Sequence, residues 1–445
     1  MSQSDRPEQS NCPLPKATGQ VGLQILRRLA ATRSPLVALE MMQQHVGNLF
    51  QIQAPGFTPA VMAGPEYNRQ LLLTDRQDYL WRTETDPVTE LLRRGVLVLD
   101  GEEHDRVRAC MEPTMLRRPT LAHIDTMVRS TDWVVAQWQD GGTYDMLVEM
   151  RKIALLILIG TLFGVDFCPD LQRMWDPILR AIDAISPGLW ILSPKLPRRR
   201  YPKELAALDA YLYDLIGRRR ILPDPPDDLL TRLVQSPDMD DGLIRDQLLT
   251  MLIAGHDTST ALFAWMLYLL GEHPEAMRRV REEVTTVVGT GAGSTQPSAD
   301  HLNRLHYLDL VTRETLRLYP PIHIGNRKAA HDVHLPAGTI PAGNRVMYSI
   351  YLSHRDPAQW ENPGTFDPDR FDRQGAVPAF TYVPFGGGPR NCIGATFAQI
   401  EAKVVMARLF QRTQLDLVGG QKIQAHMGAT LEPRPGVKMK VTKQS

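Results

Sequence analysis

Two periodicities run through this chain. Apolar residues fall at the three- and four-residue steps of an amphipathic helix over Pro35–Val46, Glu66–Leu73 and Leu305–Leu318, while Asn48–Ala54 and Pro59–Ala63 read as strands around Pro55-Gly56. Between Leu121 and Gly164 the spacing of Met127, Val134, Trp138, Met146, Met150, Leu155 and Leu158 is that of packed helices, with Gly141-Gly142 as the break between them. The longest predicted element starts at Asp241 as N-cap and stops at Gly271 and Pro274, about 45 Å at 1.5 Å per residue. Its centre is apolar nearly all round, as suits a helix buried across a large domain. An amphipathic helix over His273–Val288, a loop over Gly289–Ala299, a helix from Ala395 to Leu409, a strand pair within Val333–Tyr351 and short strands over Gln424–Val441 complete the pattern. The expectation is one mainly α domain over residues 1–445, with a small β-rich side, no internal repeats and a loose segment at 1–20.

Composition narrows the picture by exclusion. The chain has 445 residues, enough for a sizeable core, and Lys+Arg and Asp+Glu both total 50, so no global basic excess points to nucleic acid. Cys12, Cys110, Cys168 and Cys392 are scattered, without CxxC spacing or the density of a disulfide scaffold, which suits a reducing cytoplasm. Met1–Lys16 lacks the basic-then-apolar order of a signal peptide or membrane anchor. Leu248–Leu270 is long and apolar but carries His256 and Asp257 near its middle, which reads as a buried helix in a soluble protein.

The chemistry concentrates at Phe385-Gly386-Gly387-Gly388-Pro389-Arg390-Asn391-Cys392-Ile393-Gly394, immediately before the helix that starts at Ala395. Glycines let the loop fold back, and a cysteine just before a helix N-terminus meets backbone N–H groups that favour a thiolate. Gly388 and Gly394 leave room for a flat cofactor against the backbone, and Arg390 can reach a carboxylate on its edge. A buried free cysteine beside a Gly/Pro turn is the competing reading of the loop alone. At the centre of the long helix lies Ala254-Gly255-His256-Asp257-Thr258-Ser259. There Gly255 permits close approach, the Thr258 hydroxyl bonds back to a carbonyl or donates outward, and the pair loosens the helix enough to admit water, leaving Asp257 to relay protons.

The Phe-x-x-Gly-x-Arg-x-Cys-x-Gly pattern and the small-Gly-x-acid-Thr pattern together resemble the cytochrome P450 superfamily of heme-thiolate monooxygenases, in its soluble bacterial style. The resemblance implies the mainly α fold of that family and a heme b group whose iron is ligated by Cys392, with Phe385, Gly386, Gly394, Ala254 and Gly255 against it. It also implies that Asp257 and Thr258 deliver protons, and that His104, Arg108, Arg327 and Arg390 hold the propionates. Glu314, Arg317 and Arg370, the last from Phe366-Asp367-Pro368-Asp369-Arg370-Phe371, are implied as a buried structural triad. The implied reaction inserts one atom of O2 into a hydrophobic small molecule. Electrons then come from a separate ferredoxin or flavodoxin/reductase, which meets a monomer at a face including Arg106, Arg117, Arg118 and Lys403. Candidate substrate walls are Trp81, Val96, Leu97, Leu189, Trp190, Leu249, Ile253, Ile322, Ile324, Ala429 and Thr430. A peroxide-using peroxygenase and a non-catalytic heme-binding or ligand-sensing protein are the competing functions.

Overall fold

The computed structural model describes residues 13–32, 34–81, 86–187, 198–290, 295–373 and 377–444. The longest helix sets the frame. It spans Asp241–Glu272, and its N-cap is Asp240, one residue earlier than expected, whose side chain accepts from the Leu243 amide at 2.7 Å. That bond satisfies one of the orphan N–H groups at the helix start. From Leu243 to Leu267 every residue is buried except Ala254, Gly255 and Thr258. The long helix is therefore solvated at neither face, and its one opening is internal.

Met146–Leu162 packs along this helix more extensively than any other element among the described residues. The pairing depends on Gly255: a Cβ there would lie 2.3 Å from Cδ1 of Leu158. Ile124–Ala136, Pro202–Arg220, His306–Leu318 and Ala395–Arg412 complete the helical body around one apolar core. The Gly141-Gly142 break falls between Ile124–Ala136 and Met146–Leu162, where a short strand, Thr143–Asp145, intervenes.

The β-rich side is a five-stranded sheet in the order Leu49–Gln51, Ala60–Met62, Arg345–Ser349, Ile324–Ala329, Tyr79–Leu80. The strand pair expected within Val333–Tyr351 divides differently. Val333–Leu335 and Gly338–Ile340 form a hairpin, while Arg345–Ser349 joins the larger sheet between Ala60–Met62 and Ile324–Ala329. Thr143–Asp145, Lys438–Lys443 and Thr413–Leu417 make a separate three-stranded sheet, and Gln424–Met427 pairs with Leu431–Arg434.

The stretch expected to be loose is anchored from Pro13 onward. Pro13 bridges to Thr339, Leu14 is buried in the core of the sheet, and Pro15 accepts from the Gln51 amide at 2.8 Å. A helix, Gly19–Thr32, follows at once. Among the described residues no helix is long and apolar enough to cross a membrane.

Candidate active site

The cysteine loop closes on itself through backbone bonds. The Cys392 amide donates to Phe385 O at 2.8 Å, Gly386 N to Val383 O at 3.0 Å and Asn391 N to Gly388 O at 3.1 Å. Gly388 has φ +67°, and a Cβ on it would meet Leu72 O at 2.1 Å, so this position admits glycine alone. Gly394 is different: its φ is −89°, and a Cβ there would only reach Cys392 Sγ at 4.0 Å, which leaves its outer side for a ligand. Cys392 remains exposed. The dense protein around it pushes its thiol up, while the Gly394 backbone amide and Arg108 oppose that effect. A bound cation would favour the thiolate form of this sulfur.

The opening in the long helix comes from small side chains and leaves the helix continuous. Thr258 Oγ1 donates to Ala254 O at 2.7 Å, and Ala254, Gly255 and Thr258 present the accessible surface. Gly255 directs its missing Cβ at Leu158 and so serves the helix contact described above. Behind the opening Asp257 is buried and held on both oxygens: Arg151 Nη2 donates to Oδ1 at 3.0 Å and Thr430 Oγ1 to Oδ2 at 2.8 Å. The same Arg151 nitrogen also donates to Glu432, which Arg434 reaches at 2.8 Å from a half-exposed position. Two cations and two carboxylates thus form a chain from the surface to the residue beside Thr258. Thr430 was expected as a substrate wall, and its hydroxyl is engaged with Asp257 instead. Arg151 and Glu432 carry no motif, and Arg151 sits with Glu149 and Lys152 just before the apolar run Ile153–Ile159, where nothing in the sequence separates it from an ordinary solvated charge.

Four basic residues were expected at the edge of the site, and they differ in their surroundings. Arg327 is 5% exposed and is drawn to Asp100 at longer range, the carboxylate that Arg390 holds directly. Its guanidinium donates to Asn326 O at 2.7 Å and lies 3.3 Å over the Trp81 ring. A buried guanidinium with no carboxylate in direct contact among the described residues suits an anionic edge group such as a porphyrin propionate. Arg390 donates to Leu99 O at 2.6 Å and Asp100 Oδ1 at 2.7 Å, and lies 5.1 Å over the same ring. His104 is buried with Nδ1 2.8 Å from Asp105, and burial lowers its pKa against the pull of that carboxylate. Arg108 is engaged elsewhere, with Asn391 O at 2.9 Å and Asn391 Oδ1 at 3.0 Å, and so braces the residue before Cys392.

A sequence profile of cytochrome P450 matches residues 14–441 of this chain. The chain belongs to the cytochrome P450 family. Curated relatives of this P450 include putative cytochrome P450 139 of Mycobacterium tuberculosis, 29% identical, with 91% of this chain and 97% of the relative aligned. Pentalenene oxygenase of Streptomyces avermitilis is 30% identical over 85% of this chain and 86% of its own length. Cyclooctat-9-en-7-ol 5-monooxygenase of Streptomyces melanosporofaciens is 29% identical over 88% and 87%. A solved structure, retinoic acid bound cyanobacterial CYP120A1, superposes with a TM-score of 0.79 at 26% identity, covering 90% of this chain and 93% of that one. The protein is a heme-thiolate monooxygenase, and as a P450 it works with heme iron, an organic substrate, O2 and a redox partner.

In this P450 the structure brings Glu314, Arg317 and Arg370 together under the cysteine loop. Arg317 grips Glu314 through Nε and Nη2, both at 2.8 Å, and Arg370 Nε reaches Glu314 Oε1 at 3.0 Å. The remaining guanidinium protons go to the carbonyls of His354, Pro363, Glu361 and Thr365. The cluster connects to the loop through His354, whose Nε2 accepts from the Val383 amide at 2.9 Å.

The expected walls separate into groups. Val96 is held against the long helix by Gln247, whose Oε1 accepts from its amide at 2.7 Å, and Leu249 and Ile253 are buried in that helix. Leu97 and Ile322 are exposed, Ile324 packs in the core beside Tyr351 and Leu352, and Ala429 packs against the main core. Trp81 packs against two arginines. Leu189 and Trp190 lie outside the described residues.

Proposed function

We propose that this P450 hydroxylates or epoxidises a hydrophobic, hydrocarbon-rich substrate with one atom of O2, using heme b and electrons from a separate ferredoxin or flavodoxin/reductase, as a cytoplasmic monomer. Pentalenene, cyclooctat-9-en-7-ol and retinoic acid, which appear in the names of its relatives, are unsaturated carbon skeletons with at most one polar group. The apolar Val96, Leu249 and Ile253 along the long helix support the same class here. A thiolate-ligated heme supplies the oxygen-activating chemistry when bound, because sulfur pushes electron density toward O–O cleavage.

The chain's own residues do the rest. Cys392 would ligate the heme iron, with its backbone held by the Phe385 carbonyl, its sulfur near the Gly394 amide, and Arg108 bracing it through Asn391. Arg327, Arg390 and His104 hold the propionate edge. Thr258 keeps its proton on the Ala254 carbonyl and turns its oxygen to the opening, and Asp257 behind it delivers protons when it leaves Arg151 and Thr430. Arg106, Arg117 and Arg118, all exposed and close in sequence to the helix that braces the loop, receive an acidic electron carrier.

The observation that carries this reading is the buried acid beside the threonine at the sole opening of the long helix. A route for protons is what a monooxygenase using O2 needs and a peroxygenase does not. The test compares the purified protein with Cys392→Ala. The unaltered protein is expected to give the carbon-monoxide spectrum of thiolate-bound ferrous heme and to couple reductant use to product, and the variant to lose the spectrum. A spectrum that survives the substitution refutes the ligand assignment. Product formed with peroxide but never with O2 and a reductase refutes the monooxygenase reading.

A further inference from the structure

Trp81 follows the strand Tyr79–Leu80, whose register pairs Tyr79 with Ala329 and Leu80 with Lys328. The next step along that register sets Trp81 against Arg327. The Arg327 guanidinium carbon lies 3.3 Å from the Trp81 ring centre and 5.3 Å from that of Tyr348. Tyr348 reaches it because its own register partner is Gly325, where a Cβ would collide with the tyrosine ring at 2.0 Å. Arg390, arriving from the cysteine loop, places its guanidinium carbon 5.1 Å from the same Trp81 ring. Burial pushes Arg327 down to about 10; the Tyr348 hydroxyl and Asp100 oppose that effect and the neighbouring charge of Arg390 adds to it. Two guanidiniums that repel each other therefore pack against one indole ring.

We propose that Trp81 is a positioning residue for the cofactor: its π face holds Arg327 and Arg390 together as a paired clamp for one propionate. An aromatic face attracts a cation without neutralising it, as a carboxylate would, so Arg327 stays available to an incoming anion, and Arg390, which also holds Asp100 at 2.7 Å, is brought beside it. This rests on the heme reading above and departs from the expectation that Trp81 faces substrate. The pairing joins the sheet, through Arg327, to the cysteine loop, through Arg390. Losing the ring frees the two guanidiniums to separate.

The test uses the heme-loaded protein with fluorinated tryptophans introduced at position 81, which weaken the π face stepwise while keeping its shape, together with Trp81→Phe and Trp81→Leu. The readouts are heme transfer to apomyoglobin, the midpoint potential and the dissociation constant of a hydrophobic ligand followed by its heme spectral shift. Heme loss is expected to quicken with each added fluorine and to reach about tenfold in Trp81→Leu, with Trp81→Phe within about threefold of the unaltered protein. The potential is expected to fall along the same series, because a less compensated propionate disfavours the added electron. A flat response to fluorination overturns the proposal, whatever the fate of the leucine variant. So does a series that moves ligand affinity alone, which makes Trp81 a wall residue. A protein that takes up heme through Cys392 yet shows the flat series refutes this inference and leaves the heme reading standing, whereas one that takes up no heme refutes both.

Discussion

Ser259 donates its hydroxyl to Glu401 at 2.6 Å, and among the described residues this is the only hydrogen bond to that fully buried carboxyl. Burial pushes Glu401 up to about 8 from an ordinary value of 4.5, with the Ser259 bond opposing. A carboxyl raised in this way is protonated in the folded state over a range where the unfolded chain has released its proton. Its contribution to stability is fully present below about pH 4.5 and is lost as the pH rises through about 8. A tenfold difference in proton affinity between the two states is worth about 1.4 kcal/mol. Chemical denaturation of Glu401→Gln is therefore expected to show a flatter fall in unfolding free energy between about pH 5 and 8 than the unaltered protein; equal slopes would remove the proton from the account. Single residues also differ in how far the sequence alone points to them. Cys392, Thr258 and Asp257 announce themselves because their spacing is set by local backbone. Arg151, Glu432 and Trp81 do not, because their meaning arises from partners far along the chain: Arg151 and Glu432 lie 281 positions apart. Thr430, expected as a substrate wall, lies in the turn between Met427 and Leu431 with its hydroxyl on Asp257, a contact that its apolar-looking surroundings in the sequence do not reveal.

Between elements, the contact that matters most is the one between Met146–Leu162 and Asp241–Glu272. Leu158 is buried and its methyl occupies the space that a Gly255 Cβ needs. Gly255→Ala is expected to destabilise the protein by about 1–3 kcal/mol, the usual cost of overpacking a dense core. The double variant with Leu158→Ala is expected to recover part of that loss in a double-mutant cycle, because the cavity made by one change receives the methyl of the other. Strict additivity would place the strain elsewhere. The same substitution is expected to shift Asp257, because Arg151 and Leu158 belong to one rigid helix. Helix positions were largely legible from the apolar spacing: Pro35–Val46 was expected and found, and His306–Leu318 lies within one residue of its expected start. The strands were less so. Arg345–Ser349 carries no signal of whether it pairs with its nearest neighbour or crosses to Ala60–Met62, since partner choice in a sheet is decided by packing over a long separation. Helix Gly19–Thr32 was missed for a different reason, its weak apolar content and the proline-rich lead-in.

At the scale of the whole molecule, zero net charge means that an electron carrier is recruited by a local patch. Arg106, Arg117 and Arg118 are exposed, whereas Lys403 is paired with Asp309 at 2.8 Å and is half-withdrawn from such a role. Charge reversal of Arg106 and Arg117 together is expected to slow first-electron transfer about tenfold at low salt, with the difference shrinking as ionic strength rises. Lys403→Glu is expected to change it less. Stopped-flow reduction at two salt concentrations decides the matter, and a salt-independent rate in all variants moves the docking face elsewhere. The layout also has a consequence for biosynthesis. Asp257 follows Arg151 by 106 positions and Glu432 by 281. At about 5–20 residues per second, a ribosome needs roughly a quarter-minute to a minute to travel from the arginine to its second carboxylate. From the synthesis of Asp257 until that of Glu432, Arg151 has one of its two carboxylate partners, so the buried network is completed only when the closing hairpin, Gln424–Met427 with Leu431–Arg434, has been made.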